Sequence, residues 1–259
     1  MLRRLRHRVA LTGHLVTDTY EYTRHLVLGN GITGDVTRVD PAAPPVVLVH
    51  GFLGTRGTME PMARRFRADG RAVFSYGYGR FQLACLRRSA QGLVQQVRKI
   101  REQLECDRVD LVGFSMGGLV GLHALKFLDA GRYCRSLALL GTPVRGTWMG
   151  LAGIAALGAV SSSVWQVVPS SRFLEDLLTA SLPERVRVRQ IYASRDALCP
   201  LGPRLAEVPD RDYVIIPGGH SSLVVGPRFY TALRGFHDGI DPSPTSAQMP
   251  GPGPAIPTF

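Results

Sequence analysis

Short apolar runs of strand length recur along the chain, and amphipathic helical patterns lie between them. The run at residues 45–50 is almost entirely apolar, which is typical of a strand buried on both faces. By contrast, residues 93–104 repeat apolar side chains every three or four positions, which indicates a helix with one face on the core. Six runs predict strands, at residues 45–50, 71–76, 109–114, 135–140, 186–193 and 213–216.

The alternation of these strands with helical segments indicates the fold class. Strands joined by helices pair in parallel, because a helical crossover returns the chain to the same end of the sheet. The pattern therefore predicts an α/β fold with a mostly parallel sheet of about six strands and helices on both faces. A closing helix is predicted at residues 225–236. At 259 residues the chain is long enough for one large domain, which we place at residues 31–240.

The two ends of the chain differ from this pattern. Residues 1–30 form a basic leader, in which Leu2, Leu5 and Val9 share one helical face. This arrangement permits an amphipathic helix at a membrane surface or a solvated helix lying on the domain. The leader lacks the apolar run of about 7–15 residues typical of an export signal, so we expect a cytoplasmic or peripheral membrane protein, with secretion left open. Residues 241–259 contain six prolines and are expected to form a disordered tail.

Charge and cysteine content narrow the classes of partner. The chain carries 31 basic and 20 acidic residues, a net charge of +11, and all but two of the basic residues are arginines. Codon usage can produce this bias; alternatively, the charge attracts the protein to an anionic membrane surface. No nucleic-acid-binding motif accompanies the charge, so we expect no nucleic-acid partner. The four cysteines are too widely spaced to predict a metal site, and we expect reduced thiols, with three disulfide pairings as the alternative.

Candidate chemistry begins with Gly-Phe-Ser-Met-Gly at residues 113–117. This motif ends an apolar strand and precedes a helical pattern, which is the strand–turn–helix context of a nucleophile elbow. A serine at such a turn presents its hydroxyl above the sheet, and the flanking glycines allow the strand and the helix to approach closely. The sequence therefore predicts Ser115 as a catalytic nucleophile.

A serine nucleophile needs a base, and the base needs a carboxylate to orient it. His220 follows the last predicted strand and Asp196 follows the strand before it, at the edge of a parallel sheet where ligands bind. The chain order Ser115, Asp196, His220 is the one expected with such an elbow, and we predict these residues as a catalytic triad. The rival histidines, His123 and His237, are expected to be packed or exposed. The rival acids are expected to be solvated surface charges: Glu207, Asp210 and Asp212.

The turn after the first predicted strand, at residues 50–54, offers groups that would stabilise a tetrahedral intermediate. An oxyanion needs N–H donors placed where its charge develops. We predict the backbone N–H groups of Phe52 and Met116 as the oxyanion hole, with His50 and Gly51 in the loop that carries Phe52. The small Gly51 allows the backbone to approach a substrate, and the ring of His50 is expected to support the loop.

Together these motifs resemble bacterial lipases and esterases of the α/β-hydrolase superfamily, over roughly residues 45–237. The stretch Gly-Thr-Pro-Val-Arg-Gly-Thr looks like one in triacylglycerol-lipase-like members. The resemblance implies the α/β-hydrolase fold, carboxylester substrates with acyl chains and no organic cofactor. It also implies that the histidine after the first strand belongs to the oxyanion loop. The matching stretches are residues 46–54, 113–118, 141–147, 194–200 and 218–220.

Residues 146–171 form 26 consecutive positions without charge, a length that permits a transmembrane helix. One crossing would place Ser115 and Asp196 on opposite sides of a membrane, so we predict instead a small helical cap or lid at about residues 146–182. An apolar cap would line an acyl pocket, and the alternative is ordinary core packing. The predicted substrate-binding residues are Leu53, Trp148, Met149, Leu151, Ile154 and Trp165.

The sequence thus predicts a serine carboxylester hydrolase, a lipase or esterase, acting on a small-molecule acyl ester or lipid. A thioesterase or an acyltransferase would use the same three residues, and fold class alone does not fix the substrate. A catalytically inactive binding protein of the same fold is the other alternative. The presence of all three predicted catalytic residues disfavours it.

Overall fold

Six strands form the centre of the computed structural model, which describes residues 15–27, 40, 42–77, 84–147 and 161–239. The strands are β1 (Val46–Val49), β2 (Val73–Tyr76), β3 (Val109–Phe114), β4 (Cys134–Leu140), β5 (Arg187–Ala193) and β6 (Tyr213–Ile216). Their order in the sheet is β2-β1-β3-β4-β5-β6, and every neighbouring pair is parallel. The predicted α/β class with a parallel sheet of six strands is confirmed.

Helices connect the strands and cover both faces of the sheet. They are α1 (residues 15–27), α2 (Glu60–Ala68), α3 (Leu86–Leu104), α4 (Met116–Phe127), α5 (Ser162–Gln166), α6 (Arg172–Thr179), α7 (Ser222–Val225) and α8 (Pro227–Asp238). Short 3₁₀ turns occur at Arg56–Met59, Asp129–Arg132 and Asp210–Asp212. Helices α5 and α6 lie between β4 and β5, within the segment predicted as a cap.

Strand β1 shows why the central strands are apolar at successive positions. Successive side chains of a strand point to opposite faces of the sheet. Val47 and Val49 join the core cluster that contains α3 and α4, and Val46 and Leu48 join the cluster that contains α2 and α8. All four side chains are fully buried, and burial of each contributes about 1.5–3 kcal/mol relative to exposure. No face of β1 is therefore left for a polar side chain.

The closing helix predicted at about residues 225–236 is α8, which begins and ends two residues later, at Pro227 and Asp238. It is separated from the short α7 because Gly226 between them is extended, with φ −70° and ψ 127°. Pro227 then occupies the first turn of α8, where its missing N–H and fixed φ suit the start of a helix.

A buried ionic cluster lies near the amino ends of the strands, at the opposite edge from Ser115. Asp110 accepts hydrogen bonds from Arg71 (2.6 Å), Arg135 (2.6 and 3.0 Å) and Ser136 (2.5 Å), and His237 Nδ1 lies 3.1 Å from its carboxylate. Burial raises the pKa of Asp110, but hydrogen bonds and charge from His237 and Arg135 outweigh burial and hold the pKa well below its usual range. His237 therefore has a structural role in the buried core.

His123 makes the stability of the fold depend on pH. It is buried in α4 with its ring stacked on Phe127 at 4.8 Å, and its Nδ1 finds no partner among the described residues. Burial, with a smaller effect of the Arg87 charge, lowers the pKa of His123 to about 4. Histidine in an unfolded chain titrates near pH 6.5. Below that pH the unfolded state therefore binds a proton at this residue and the folded state does not. The stabilisation is present above about pH 6.5 and is lost as the pH falls towards 4.

We therefore expect His123→Leu to flatten the pH dependence of unfolding. Between pH 7.5 and 4.5 the wild-type free energy of unfolding should fall by on the order of 2 kcal/mol through this residue, and that part should disappear in the variant. Urea unfolding at the two pH values measures both slopes. Val27→Ala, an exposed change on α1 that removes no titratable group, serves as the control and should keep the wild-type slope. Equal slopes in wild type and His123→Leu would contradict the assignment.

Candidate active site

The turn from β3 to α4 holds Ser115 in a strained conformation. Strand β3 ends at Phe114 and α4 begins at Met116, so Ser115 alone makes the turn, with φ 53° and ψ −125°. Residues with a Cβ rarely adopt such angles, at a cost of about 1–3 kcal/mol that the surrounding structure must offset. Strain of this kind concentrates at functional sites.

Three glycines allow this turn to pack against the rest of the sheet. A Cβ on Gly113 would lie 2.5 Å from Gly118 Cα, so strand and helix could not approach as they do. A Cβ on Gly117 would lie 2.3 Å from the carbonyl oxygen of Val49 at the end of β1, and one on Gly118 would meet the side chain of Thr142. Any larger residue at these positions would push α4 away from the sheet.

Asp196 and His220 meet at the same edge of the sheet, in the loops after β5 and β6. His220 Nδ1 lies 2.6 Å from Asp196 Oδ2. The other carboxylate oxygen, Oδ1, accepts the N–H groups of Leu198 at 2.9 Å and Cys199 at 2.8 Å. Because Nδ1–H donates to the carboxylate, Nε2 of His220 is left as the proton acceptor.

Contacts around Ser115 place it beside this pair. The ring of Phe114, the residue before Ser115, packs on the His220 imidazole with centroids 4.7 Å apart. Ser115 Oγ lies 3.7 Å from Cys199 Sγ, in the loop that Asp196 organises. A Cβ on Gly141, at the end of β4, would lie 3.2 Å from Asp196 Oδ2 and 3.6 Å from His220 Nδ1. The three predicted catalytic residues therefore lie at one edge of the sheet.

The loop after β1 also reaches Ser115. A Cβ on Gly51 would lie only 2.9 Å from Ser115 Cβ, so the backbone of the loop touches the candidate nucleophile. The N–H of Met116 begins α4 and has no intrahelical acceptor. Over the described ranges, neither this N–H nor that of Phe52 donates to a protein acceptor. Both donors are therefore available at the turn.

His50 supports this loop. Its side chain is buried, and its Nδ1 lies 3.2 Å from the carbonyl oxygen of Gly51. Burial, with a smaller effect of the Arg56 charge, lowers the pKa of His50 to about 4, so the ring is neutral at physiological pH. Leu53 follows in the left-handed region with φ 53°, and its side chain is exposed at the surface.

Comparison with known proteins agrees with this arrangement of elements. A model of the alpha/beta hydrolase family matches residues 46–251, most of the chain. The chain belongs to the α/β-hydrolase family. The matching range begins at β1, so α1 lies before it. No curated protein sequence matches this α/β-hydrolase.

Solved structures of lipases share the fold. Lipase BlEst2 from Bacillus licheniformis is 18% identical to this chain in both its propeptide form and its mature form. The propeptide form matches with a TM-score of 0.64 over 79% of this chain and 52% of the lipase chain. The mature form matches with a TM-score of 0.62 over 79% of this chain and 96% of the lipase chain. Lipase B from Aspergillus fumigatus is 16% identical, with a TM-score of 0.56 over 75% of this chain and 49% of that one. This α/β-hydrolase thus spans about half of the propeptide form. At these identities the likeness shows the fold alone.

A hydrolase with a different substrate is also similar. The 2-hydroxy-6-oxo-6-phenylhexa-2,4-dienoate hydrolase from Rhodococcus is 15% identical, with a TM-score of 0.53 over 78% of this chain and 92% of that chain. Members of this fold therefore differ in substrate, which the residues of each individual site determine.

The predicted cap of this α/β-hydrolase is described only at its two flanks. The N–H of Thr147 donates to the carbonyl of Val167 at 3.0 Å, and the Thr147 hydroxyl donates to the carbonyl of Leu198 at 2.6 Å. The flanks therefore meet beside the loop that holds Asp196. Trp165, in α5, is 56% exposed. The other predicted substrate-binding residues of this segment lie outside the described residues: Trp148, Met149, Leu151 and Ile154.

The expectation of a solvated charge is wrong for Asp212. Its side chain is buried and pairs with the buried Arg189, whose Nη2 lies 2.6 Å from Asp212 Oδ1. Asp210 is exposed and pairs with Arg204 at 2.9 Å, as expected of a surface charge. None of these contacts brings Asp212 to His220.

Sequence reasoning missed two residues near the site. All four cysteines are described and free, and Cys199 is the one that touches Ser115. Burial raises the pKa of Cys199 to about 12, so it is a neutral thiol there. Tyr22, in α1, packs its ring on Phe114. Tyr22 lies before the range that the family model matches, and nothing in the sequence around it indicated this contact.

Within the part of the chain that the structure describes, no helix combines the length and the apolar character needed to cross a membrane.

Proposed function

We propose that this α/β-hydrolase is a serine carboxylester hydrolase that works through an acyl-enzyme, with Ser115, Asp196 and His220 as its triad. The observation that carries the proposal is the strained Ser115 at one sheet edge with the 2.6 Å Asp196–His220 pair. A neutral imidazole with Nδ1 held by a carboxylate is a base suited to accept the serine proton.

The reaction follows from these positions. Ser115 Oγ attacks the ester carbonyl while His220 Nε2 takes the hydroxyl proton, and Asp196 stabilises the imidazolium that forms. The N–H groups of Phe52 and Met116 stabilise the oxyanion. The alcohol leaves with the proton from His220. Water, deprotonated by the same imidazole, then attacks the acyl-enzyme and releases the acid together with the free serine.

We further propose a lipid-like acyl ester as the substrate. Leu53, Leu198 and Trp165 are exposed large apolar side chains, and Leu53 and Leu198 lie next to the candidate oxyanion and carboxylate loops. Exposed apolar groups beside a site are typical of surfaces that bind acyl chains or lipid. This supports a lipase or esterase of the kind that the sequence resembles.

The charges of the same loops suit an anionic lipid surface. Arg145 and Arg195 are exposed in the loops after β4 and β5, and the acid next to Arg195, Asp196, is buried against His220. Guanidinium groups bind phosphate and carboxylate head groups well. We propose that the protein meets its substrate at such a surface.

The expected result is a preference for longer acyl chains. Each CH₂ buried by the enzyme contributes up to about 0.8 kcal/mol, so kcat/KM for an octanoate nitrophenyl ester should exceed that for the acetate by at least about tenfold. Trp165→Asp should reduce this ratio severalfold, whereas Phe127→Ser, an exposed change at the far end of α4, should leave it unchanged.

The charge of the lipid surface should also affect the rate. Vesicles of the longer ester with anionic lipid should be hydrolysed faster than zwitterionic vesicles, and added salt should remove this difference in rate.

Other outcomes would replace parts of this proposal. An unchanged octanoate-to-acetate ratio in folded Trp165→Asp would reduce the lipase assignment to a general esterase. A thioester turned over far faster than its oxygen analogue would make the enzyme a thioesterase. Transfer of the acyl group to an added alcohol in preference to water, detected by weighing the products, would make it an acyltransferase.

A further inference from the structure

Helix α1 packs on the loop that carries His220, although α1 lies before the range that the family model matches. A Cβ on Gly219 would lie 2.9 Å from Leu15 Cδ2. Thr19 Oγ1 lies 3.2 Å from Ser221 Oγ. Because Gly219 and Ser221 flank His220, α1 touches the loop on both sides of the candidate base.

Tyr22 extends this contact to the imidazole itself. Its ring meets the ring of Phe114 edge-on, with centroids 5.9 Å apart and an interplanar angle of 61°. Phe114 in turn packs on the His220 imidazole at 4.7 Å. Phe114 is also the residue before Ser115. The ring of Tyr22 therefore supports, through one intermediate ring, both the base and the turn of the nucleophile.

The hydroxyl of Tyr22 reaches the oxyanion side of the site. The side chain of Thr58, fully buried in the 3₁₀ turn after the oxyanion loop, faces this hydroxyl closely enough to affect its pKa. Thr58 Oγ1 donates its own proton to the carbonyl of Thr55 at 2.6 Å, which fixes the side chain in this turn. Burial raises the pKa of Tyr22 to about 12, and the hydroxyl keeps its proton at physiological pH.

We propose that Tyr22 is a positioning residue, through which α1 fixes the His220 ring relative to the oxyanion loop. The inference rests on the proposed serine hydrolase function. Its physical basis is that proton transfer and oxyanion binding occur in one transition state, so the two groups must keep their separation. Tyr22 lies between them: its ring packs on Phe114, which packs on the imidazole, and its hydroxyl faces Thr58 beside the oxyanion loop.

A purely structural role for α1 predicts different kinetics. Loss of packing alone would lower the amount of folded enzyme and its melting temperature, with the kcat of the folded molecules intact. Loss of positioning lowers kcat with KM nearly unchanged, because the ground-state ester does not depend on the orientation of the imidazole. It also slows labelling of Ser115 by a fluorophosphonate, which needs the same proton transfer.

The experiment compares Tyr22→Phe, Tyr22→Leu and the control Tyr20→Leu, which changes a residue that is 68% exposed on the same helix. Nitrophenyl acetate is the substrate, and kcat is corrected for active protein. Tyr22→Phe keeps the ring and should lower kcat about 2- to 10-fold. Tyr22→Leu should lower it about 10- to 100-fold, of the order expected when a catalytic group is misplaced by about 1 Å. In both, KM should stay within about twofold of wild type.

The outcomes separate this inference from the proposed function. A wild-type kcat and labelling rate in folded Tyr22→Phe would overturn the positioning role while leaving the triad intact, and this variant decides the question even if Tyr22→Leu does not fold. An equal loss in Tyr20→Leu would also overturn it. If wild type itself showed no labelling that depends on Ser115, the proposed function would fail instead.

Discussion

Replacement of Ser115 by alanine should abolish ester turnover and labelling by a fluorophosphonate probe. We expect kcat to fall by about 10⁴–10⁶, because no other hydroxyl is held in the strained turn next to the Asp196–His220 pair. Mass spectrometry of the labelled wild-type protein should place the adduct on Ser115. Initial rates on a nitrophenyl ester, with circular dichroism to confirm folding, measure the loss.

Ser194→Ala is the matched control, since Ser194 is an exposed serine in the loop after β5. Both its labelling and its turnover should equal those of wild type. An adduct on another serine, or substantial activity in folded Ser115→Ala, would contradict the assignment of Ser115 as the nucleophile. It would also remove the basis of the proposed ester chemistry.

His220→Ala should lose nearly as much activity as the serine variant, because the members of a triad act as a unit. Asp196→Asn should lower kcat by about 10⁴, since an amide cannot hold the imidazole in the tautomer that leaves Nε2 free. The measurement is kcat per folded molecule on a soluble ester. Both losses should appear with the melting temperature within a few degrees of wild type.

Asp212 provides the contrast for Asp196. Its partner is the buried Arg189, so Asp212→Asn leaves a buried guanidinium without a full counter-charge. We expect this variant to melt at a lower temperature while its folded fraction keeps the wild-type kcat. If Asp212→Asn lowered kcat more than Asp196→Asn did, the carboxylate of the triad would be misassigned.

The strands could be predicted from the sequence because β1, β3, β4 and β5 are buried on both faces and β6, at the sheet edge, is still a continuous apolar run. β3 and β6 begin and end at the predicted residues, and the others differ by two residues or fewer at either end. The closing helix begins two residues later than predicted, for a local reason. The apolar spacing continues through Gly226, and only the extended backbone at that residue, followed by Pro227, divides the segment in two. Hydrophobic periodicity does not report such a change in backbone conformation.

The candidate site was predictable where it depends on the ends of strands. Asp196 and His220 follow parallel strands, and in a parallel sheet those ends share one edge. The burial of Asp212 was not predictable, because its partner, Arg189, lies on β5, 23 positions earlier, and no local spacing links the two. The contact of Tyr22 with Phe114 is similar, since α1 reaches the site across a long separation in sequence.

The all-parallel sheet also has a consequence for how the chain folds. No two neighbouring strands are joined by a hairpin, so every pairing must close a loop, and for every pair except β5 and β6 that loop includes an α-helix. Closing such loops costs entropy before the contacts form, which slows the folding of chains dominated by non-local pairs. The Thr19–Ser221 contact joins residues 202 positions apart, one of the longest loops to close. We therefore expect the surroundings of His220 to be completed late in folding, after most of the secondary structure has formed.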